Sequence, residues 1–370
     1  MKRVLWVLRL GQTHPPLEPP SSPSSRIPKI SVIVPARDEE RNIPHCLYHL
    51  FKQDYANYEL IVVDDRSEDK TPHLLENFKK LSPVPLKIVR VEKLPPGWTG
   101  KNYAMFTGSK AAAGEWFLFT DADTTHRPES IQTAVSAALE DRIDFLTLAP
   151  QIECRSFWEN VVQPLAVTSL ALWFNPSQVN DDRSPTVLAN GQFILVKKEV
   201  YEKLNGNESI KNEVIEDVML AKKAKGAGYR VRFLNGTKLY STRMYTSLQE
   251  IRTGWTRILT FLFDKKIPAL LHKIFLFAFF SSFPFLVLSW EVFLRLASPL
   301  HFSSAVFWLS LGVCSWIVVV RSFGNRFVKT NPWYAFLHLL GSLVMIWILL
   351  ACIGRVLFQR PSVWRGQSYQ

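Results

Sequence analysis

The sequence predicts an α/β domain with a mostly parallel sheet covered by helices on both faces, followed by helices that cross a membrane. Two observations predict this architecture. From about residue 29 to residue 246, short apolar runs rich in β-branched residues alternate with helical stretches, which is the pattern of a parallel sheet. After residue 273 the chain is dominated by apolar segments close to the roughly 20 residues that a helix needs to cross a bilayer.

The predicted strands are short, and polar loops and helices follow most of them. Strands are predicted at 30–35, 58–63, 86–91, 116–119, 145–149, 187–196, 229–234 and 238–241. Helices are predicted at 43–52, from the Ser67–Asp69 region to 78, at 101–113, from about 128, at 157–174 and at 214–227. Polar residues interrupt the stretch at 157–174, which predicts an amphipathic helix near the membrane.

The chain is expected to divide into five parts. They are an N-terminal segment with a mobile linker rich in Pro and Ser at 1–28, an α/β domain at 29–246, a basic amphipathic interfacial helix at 247–273, two or three transmembrane helices at 274–353 and a basic tail at 354–370. The number of spans stays open because Pro284 interrupts the first apolar segment and Glu291 follows it. Basic residues beside the spans predict an integral membrane protein with its α/β domain in the cytoplasm.

The excess of positive charge indicates a membrane rather than nucleic acid. The chain carries a formal net charge of +12, but its Lys and Arg residues flank the apolar segments instead of forming one block. That distribution fits anionic lipid head groups, and no nucleic-acid partner is expected. The four cysteines, Cys46, Cys154, Cys314 and Cys352, form no close pair, which argues against a zinc site or a disulfide framework.

Acidic residues follow three of the predicted strands. They are Asp38 and Glu39, Asp64 and Asp65, and Asp121 and Asp123. Because the carboxyl ends of parallel strands meet at one edge of a sheet, these side chains are expected to lie together at a ligand site. Like charges at close range are costly without a counter-ion. The sequence therefore predicts a site for a hard divalent cation, with Asp121 and Asp123 as its carboxylate ligands.

Several motifs resemble those of family 2 glycosyltransferases with the GT-A fold. The segments ISVIVPARDEE, VVDDRSEDKT, FTDADT and IEDVMLAKKAKGAGYRV carry the resemblance, which runs from about residue 29 to residue 266. The segments PPGWTGKNYA, RMY, GW and WRGQSY look like those of the membrane-bound branch associated with carotenoid and hopanoid pathways. The resemblance implies a GT-A catalytic domain, a nucleotide-sugar donor and a lipid acceptor in the membrane.

The resemblance also implies roles for individual residues. Residues that would bind the nucleotide sugar are Pro35, Ala36, Asp38, Glu39, Asp65, Lys101 and Asp121, together with Arg252, Trp255 and Arg257 near the family's QxxRW motif. Asp121 and Asp123 would hold Mg²⁺ or Mn²⁺ on the donor diphosphate. Glu216 and Asp217 form the catalytic pair, with Asp217 as the base. The QxxRW motif is imperfect because Thr253 follows Arg252, which favours transfer of a single sugar over polymer synthesis.

The expected reaction is an inverting, metal-assisted transfer of one sugar to a membrane lipid. UDP-glucose is the default donor, and a carotenoid, hopanoid or glycerolipid is the expected acceptor. Asp217 would remove the proton of an alcohol acceptor, but it would only position an acceptor that is a carboxylate or a phosphate. Two alternatives remain open at this point: a polyprenyl-phosphate sugar synthase and a non-catalytic membrane scaffold with the same fold.

Overall fold

The computed structural model of the chain describes residues 14–20, 26–359, 362–364 and 367–369. Of the last two stretches it describes the backbone alone, which forms an antiparallel hairpin. The first 13 residues of the predicted N-terminal segment, residues 21–25 of the predicted linker, and Arg360 and Arg365 of the predicted basic tail lie outside the described residues.

Twelve strands occur in the described part of the chain. They are β1 (Ile30–Ala36), β2 (Tyr58–Asp65), β3 (Leu86–Val91), β4 (Trp116–Phe119), β5 (Thr124–His126), β6 (Phe145–Ala149), β7 (Gln151–Ile152), β8 (Ile194–Lys197), β9 (Val231–Asn235), β10 (Tyr240–Thr242), β11 (Ser362–Trp364) and β12 (Gln367–Tyr369). The first four strands and β6 agree closely with the strands predicted from the sequence.

The α-helices of the described residues fall into a domain group and a membrane group. The domain group is α1 (Ile43–Leu50), α2 (Thr71–Leu81), α3 (Gly100–Ala111), α4 (Ser130–Glu140), α5 (Phe157–Trp173), α6 (Pro176–Val179), α7 (Lys198–Lys203), α8 (Glu216–Gly226) and α9 (Leu248–Leu262). The membrane group is α10 (Ile267–Ala297), α11 (Ser304–Phe327) and α12 (Pro332–Leu357). A short 3₁₀ helix at Gly206–Ile210 lies between α7 and α8.

The main sheet has seven strands in the order β3-β2-β1-β4-β8-β6-β9. All neighbouring pairs are parallel except those of β8, which runs antiparallel to both β4 and β6. The carboxyl ends of β1, β2 and β4 therefore share one edge, as the sequence predicts. A second sheet of three short strands, β5-β10-β7, adjoins that edge through the turn between β4 and β5.

The predicted strand at 187–196 is wrong over its first half. Only Ile194–Lys197 is a strand, because the backbone before it is bound by side chains rather than by a neighbouring strand. The Asn190 amide donates to the Thr147 hydroxyl over 2.9 Å, and the Gly191 amide donates to the Asp217 carboxylate over 2.8 Å. These bonds direct the segment before β8 toward the site described below.

Apolar cores lie on both faces of the main sheet. One face packs Val32 and Val34 of β1 against α1, α2 and α4, and the other face packs Ile33 against α3 and α8. The alternation of side chains along β1 follows from the two-residue period of a strand. Helices on both faces confirm the predicted fold class and place α3 and α8 beside the carboxyl edge of the sheet.

Part of the predicted mobile linker is bound to the edge of the sheet. The Leu17 amide donates to the Asn235 carbonyl over 2.8 Å, and the Asn235 side-chain amide donates to the His14 carbonyl over 3.1 Å. Residues 14–20 are therefore bound to β9 and do not form a mobile linker.

The three membrane helices are long and apolar enough to cross a bilayer. They contain 31, 24 and 26 residues, and α10 continues through Pro284 after a π-helical stretch at Leu276–Ser282. The predicted interfacial helix at 247–273 is not continuous. It ends at Leu262, because Asp264 and Lys265 adopt left-handed backbone angles (φ of 52° and 57°) that interrupt the helical hydrogen bonds.

Helix α5 joins the domain to the membrane helices. Its residues Val161 and Leu165 share a buried apolar cluster with Leu259 of α9 and Met345 of α12. Arg321 of α11 donates to the Val161 carbonyl over 2.8 Å. The predicted amphipathic helix at 157–174 therefore forms, but it packs between α9 and the membrane helices rather than lying alone on the membrane.

Gly108 lets α3 pack closely on the sheet, which gives a test of this core. A Cβ atom at Gly108 would lie 2.5 Å from Ile33 Cγ2 and 3.0 Å from Val63 Cγ2. We expect Gly108→Ala to lower the free energy of unfolding by about 1–3 kcal/mol, because the added methyl overpacks the core. Gly226→Ala is the matched control, since nothing lies within 4 Å of its Cβ position. Equal melting temperatures for both variants would contradict the packing described here.

Candidate active site

Two cavities meet at the carboxyl edge of the main sheet. The polar cavity lies over the ends of β1, β2 and β4, and its charged lining residues are Arg37, Glu39, Asp65, Lys101, Asp121, Asp123, Glu216 and Arg257. The apolar cavity begins beside Gly191 and Asp217 and reaches Leu170 of α5, Leu262 of α9 and Phe327 at the end of α11. Lys101, Asp121, Val214, Glu216 and Arg257 line both cavities.

A network of buried hydroxyl groups fixes the turn that carries Asp121 and Asp123. Thr120 directly follows β4, and its hydroxyl donates to the Gln192 carbonyl over 2.8 Å. The Thr124 hydroxyl donates to the Asp121 carbonyl over 2.7 Å. The turn is thereby tied to the segment before β8, and both carboxylates are held in the wall of the polar cavity.

Lys101 forms the electrostatic centre of the junction. It lies in the first turn of α3, whose N-terminus is capped by the Thr99 hydroxyl, and its Nζ is 2.7 Å from Asp121 Oδ1 and 2.8 Å from Glu216 Oε1. Burial alone would lower the pKa of the Lys101 ammonium group. The carboxylates of Asp121 and Glu216 outweigh that effect and raise the pKa well above its ordinary value, so Lys101 stays charged.

Asp217 lies at the start of α8 beside the junction. Its carboxylate accepts hydrogen bonds from the Gly191 and Val218 amides, each over 2.8 Å. A Cβ atom at Gly191 would lie 3.1 Å from Lys101 Nζ and 3.2 Å from Glu216 Oε1, so this position has little room for a side chain. Burial, and then the neighbouring charge of Glu216, raise the pKa of Asp217 to about 7. Asp217 can therefore accept or release a proton near neutral pH.

The far end of the polar cavity is built from the loops after β1 and β2. Pro35, Ala36, Glu39 and Asp65 all line it, as predicted. The Glu39 amide donates to the Thr71 hydroxyl over 2.8 Å, which fixes one loop against α2. Asp65 is buried. Its carboxylate is 2.8 Å from Arg66 Nε and 4.0 Å from Arg37 Nη1.

Asp38, which the sequence predicts to bind the nucleotide sugar, is not among the residues that line either cavity. Its backbone is left-handed, with a φ of 53°, and its carboxylate turns away to accept a hydrogen bond from the Glu68 amide over 2.8 Å. The Asp38 amide donates to the Ser67 hydroxyl over 3.0 Å. Asp38 therefore ties the loops after β1 and β2 together instead of facing the cavity.

The three residues predicted near the QxxRW motif have different positions. Arg252 lines neither cavity: its guanidinium lies 4.4 Å from the ring centre of Trp347 in α12. Trp255 lines the apolar cavity, and its Nε1 donates to Gln163 Oε1 over 2.6 Å. Only Arg257 reaches the junction, because it lies on the face of α9 that is turned toward both cavities.

The positions of Asp121 and Asp123 fit a divalent cation that is bound together with a diphosphate. Within the described residues, no group of three or more His, Cys, Asp or Glu side chains is arranged to hold a metal ion. Two carboxylates in a cavity wall suit Mg²⁺ or Mn²⁺, which takes its remaining oxygen ligands from water and substrate phosphates. The residues therefore fit a cation that arrives with its substrate better than a permanent structural metal.

Sequence reasoning missed three residues that complete the site. Arg37 lines the polar cavity, with its Nη1 4.0 Å from Asp65 Oδ2. Gly191 was identified only as a position of close approach, not as the donor to Asp217. Tyr245 belongs to the RMY segment, but no role was assigned to it. Arg37 lies inside the ARDEE segment, and Tyr245 lies in the RMY segment shortly before the GW segment, so motifs are the available signals for both; the contact of Gly191 with Asp217 joins residues 26 positions apart, and no motif indicates it.

Comparison with known protein families identifies the domain that carries this site. Residues 31–204 match the family model described as glycosyl transferase family 2. The chain contains a glycosyl transferase family 2 domain. This match confirms the family that the motifs indicated, and it includes β1 to β8 together with the Asp121–Asp123 turn and Lys101.

Relatives of the glycosyltransferase domain agree with this assignment. A 4,4'-diaponeurosporenoate glycosyltransferase of Staphylococcus aureus is 25% identical over 234 residues, which cover 62% of this chain and 60% of that protein. A mannosyltransferase of Pyrobaculum calidifontis, solved in complex with GDP-mannose and Mn²⁺, superimposes with a TM-score of 0.56 at 18% identity and covers 96% of this chain and 95% of the other. The second likeness confirms the GT-A fold class.

The raised pKa of Asp217 predicts a pH-dependent cost in stability. Because the folded-state pKa of about 7 exceeds the ordinary value, the folded state binds more protons than the unfolded state between about pH 4 and pH 7. Wild type therefore loses free energy of unfolding as the pH rises through that window. Asp217→Asn removes the titrating group, so its stability relative to wild type should rise by about 1–3 kcal/mol from pH 4 to pH 8.

Unfolding curves recorded at a series of pH values measure this difference. The matched control is Glu140→Gln, which changes an exposed acid at the end of α4. Parallel stability profiles for Asp217→Asn and wild type would contradict the shifted pKa.

Proposed function

We propose that the chain is an inverting glycosyltransferase that moves one sugar from a nucleotide-diphosphate sugar to a lipid acceptor in the membrane. The observation that carries this proposal is the junction of the two cavities. A charged cavity suited to a nucleotide diphosphate and an apolar cavity suited to a lipid share Lys101, Asp121, Glu216 and Arg257. Asp217 lies beside that junction, where donor and acceptor would meet.

The donor would occupy the polar cavity with its nucleotide over the loops after β1 and β2. Pro35, Ala36, Glu39 and Asp65 would contact the nucleoside. The ammonium group of Lys101 and the guanidinium of Arg257 would face the diphosphate, which gains negative charge as the glycosidic bond breaks. Preorganised positive groups offset that charge best where it develops, so both side chains would act on the leaving group.

Asp121 and Asp123 would hold Mg²⁺ or Mn²⁺ against the donor diphosphate. A bound divalent cation supplies Lewis-acid stabilisation of the departing nucleoside diphosphate. The Mn²⁺ and GDP-mannose bound by the mannosyltransferase with the same fold support this assignment. The donor panel described below identifies the nucleotide and the sugar, and UDP-glucose is our first candidate donor.

The apolar cavity supports a lipid acceptor. It runs from Asp217 between Leu170 of α5 and Leu262 of α9 to Phe327, at the end of the second membrane helix. An apolar chain lying in this cavity would place its polar end at the junction and the rest of its length toward the bilayer. The name of the staphylococcal relative, a carotenoid acid glycosyltransferase, supports a long apolar acceptor of this kind.

Asp217 would serve an alcohol acceptor as general base. An alcohol becomes an effective nucleophile only as its proton leaves, and a carboxylate with a pKa near 7 can take that proton at neutral pH. The Gly191 amide donates to Oδ2 of Asp217 and the Val218 amide donates to Oδ1, and together these bonds fix the orientation of the carboxylate. If the acceptor is itself a carboxylate, no proton needs to leave, and Asp217 would only position it.

A polyprenyl phosphate is a second candidate acceptor. Arg257 lines the apolar cavity as well as the polar one, so a cation is available to a lipid phosphate. Transfer to a phosphate would need no base, which separates the two acceptors experimentally through Asp217.

The same geometry supports a placement at the membrane. Three helices would cross the bilayer, with the catalytic domain on the cytoplasmic side, where nucleotide sugars are made. The apolar cavity ends at α11, so a lipid could reach the site without leaving the membrane.

Sugar transfer by the full chain in detergent tests the reaction class. We expect Mn²⁺- or Mg²⁺-dependent transfer from one member of a panel of nucleotide sugars to total membrane lipid. Asp123→Ala should lower the rate by about 100-fold or more, because charge stabilisation of the leaving group is lost. Asp217→Asn should lower it by about 100-fold for an alcohol acceptor.

The control for both variants is Asp141→Asn, an exposed acid after α4 that should keep the wild-type rate. Survival of activity in Asp217→Asn would assign a carboxylate or phosphate acceptor. Failure of the folded protein to consume any donor would contradict the proposed function.

Filling the apolar cavity tests the acceptor side separately. Ala171 of α5 lines that cavity, whereas its neighbour Leu172 does not. Ala171→Phe should raise the KM for the lipid acceptor about tenfold or more and leave nucleoside diphosphate affinity unchanged, because the added ring occupies acceptor space. Leu172→Phe on the same helix should leave both values near wild type. Equal effects of the two variants on acceptor KM would place the acceptor elsewhere.

A further inference from the structure

Tyr245 is a buried residue that the proposed reaction does not yet use. It lies in the segment between β10 and α9, and its side chain is only 4% exposed. Burial raises the pKa of its phenol, so the hydroxyl stays neutral. After burial, the charge of Arg257 lowers this pKa and the charges of Asp123 and Asp121 raise it.

Gly254 of α9 provides the space that the Tyr245 ring occupies. A Cβ atom at Gly254 would lie 2.1 Å from Tyr245 Cζ and 2.2 Å from its hydroxyl oxygen. No side chain fits at this position while the ring stays in place. The glycine and the tyrosine therefore form a matched pair, in which the end of the phenol lies directly on the backbone of α9.

Arg257 lies next to the Tyr245–Gly254 pair. It follows Gly254 by three positions, so both residues lie on the same face of α9. The Arg257 guanidinium acts on the Tyr245 hydroxyl: it lowers the pKa of the phenol and so opposes part of the effect of burial. The buried Tyr245 ring therefore lies next to Arg257, a cationic side chain that lines both cavities.

The helix under this pair is also fixed. Its N-terminus is capped by the Ser247 hydroxyl, which accepts from the Glu250 amide over 3.2 Å. The next residue after Gly254, Trp255, is anchored to Gln163 of α5 over 2.6 Å. Because these contacts hold the helix and the ring, the Tyr245 hydroxyl offers a fixed hydrogen-bond acceptor to Arg257, whose side chain otherwise samples many rotamers.

We propose that Tyr245 is a positioning residue that holds Arg257 over the distal phosphate of a nucleoside diphosphate. Gly254 provides the space in which the Tyr245 ring packs. This inference rests on the proposed function, since it takes the polar cavity as the donor site. Arg257 lines the cavities and Arg252 does not, although Arg252 is the better match to the QxxRW motif. Arg252 instead packs on Trp347.

A purely structural role for Tyr245 makes a different prediction. Loss of packing would weaken the binding of every nucleotide alike, or would lower stability without changing binding. A positioned Arg257 instead acts on the distal phosphate alone. Affinity for a nucleoside diphosphate relative to the corresponding monophosphate therefore distinguishes the two roles.

Titration calorimetry on the full chain in detergent, with MnCl₂ present, measures this ratio. The probes are UDP, UMP, GDP and GMP, so the experiment does not depend on the identity of the sugar or the acceptor. Tyr245→Phe removes only the hydroxyl group. We expect it to weaken binding of the preferred diphosphate by about 3- to 10-fold, as one lost hydrogen bond implies, and to leave monophosphate binding unchanged.

Tyr58→Phe is the matched control. The buried Tyr58 hydroxyl donates to the Leu50 carbonyl over 2.8 Å, far along the chain from both cavities. Its removal deletes one buried hydrogen bond without touching Arg257, so the diphosphate-to-monophosphate ratio should stay at the wild-type value. Gly254→Ala provides a second variant, which should displace the ring and lower the ratio at least as much as Tyr245→Phe.

The possible results distinguish the positioning role of Tyr245 from the proposed donor site in the polar cavity. Normal diphosphate affinity in Tyr245→Phe, or an equal loss for diphosphate and monophosphate, would overturn the positioning role and leave the donor site standing. If wild type binds none of the four nucleotides, both the donor site and the role of Tyr245 are overturned. A selective loss of diphosphate affinity in Tyr245→Phe, absent from Tyr58→Phe, is the expected result.

Discussion

The contact of Lys101 with Asp121 and Glu216 is the interaction on which the rest of the site depends. Carboxylates from β4 and α8 converge where the two cavities meet, and like charges at that distance repel one another strongly unless a cation lies between them. Lys101 supplies the cation from the first turn of α3, at 2.7 Å and 2.8 Å from its two partners. It thereby ties the turn that would bind metal to the helix that carries Asp217, and it leaves Asp217 as the carboxylate whose pKa is raised.

The membrane helices are coupled to this centre through α5 and α9. Helix α5 packs on α12 and lines the apolar cavity, while α9 presents Arg257 to both cavities and joins α5 through the bond between Trp255 and Gln163. The same two helices therefore contact the apolar C-terminal helices, line the apolar cavity and carry Arg257 at the junction. In the proposed reaction, the acceptor would bind where the domain meets these helices.

Much of this architecture could be predicted from the sequence because it is locally encoded. Apolar β-branched runs define β1 to β4, and parallel strands bring their carboxyl ends together, so Asp65, Asp121 and Asp123 were placed at one edge without the structure. The features that the sequence does not indicate are positions that long-range contacts decide. Asp38 turns away because its carboxylate binds the Glu68 amide, Arg252 packs on Trp347, and the chain before β8 follows side-chain bonds to Thr147 and Asp217 instead of a strand. No spacing in the sequence encodes these partners.

The central claim is that a nucleotide cavity and a lipid cavity meet at Lys101, Asp121 and Glu216. An experimental map of the full chain with Mn²⁺, a nucleoside diphosphate and co-purified membrane lipid tests it most directly. The account predicts an anomalous manganese signal at Asp121 and Asp123, diphosphate density between Lys101 and Arg257, and elongated lipid density ending beside Asp217. Nucleotide bound away from Lys101, or lipid density that never enters the space between α5 and α9, would contradict it.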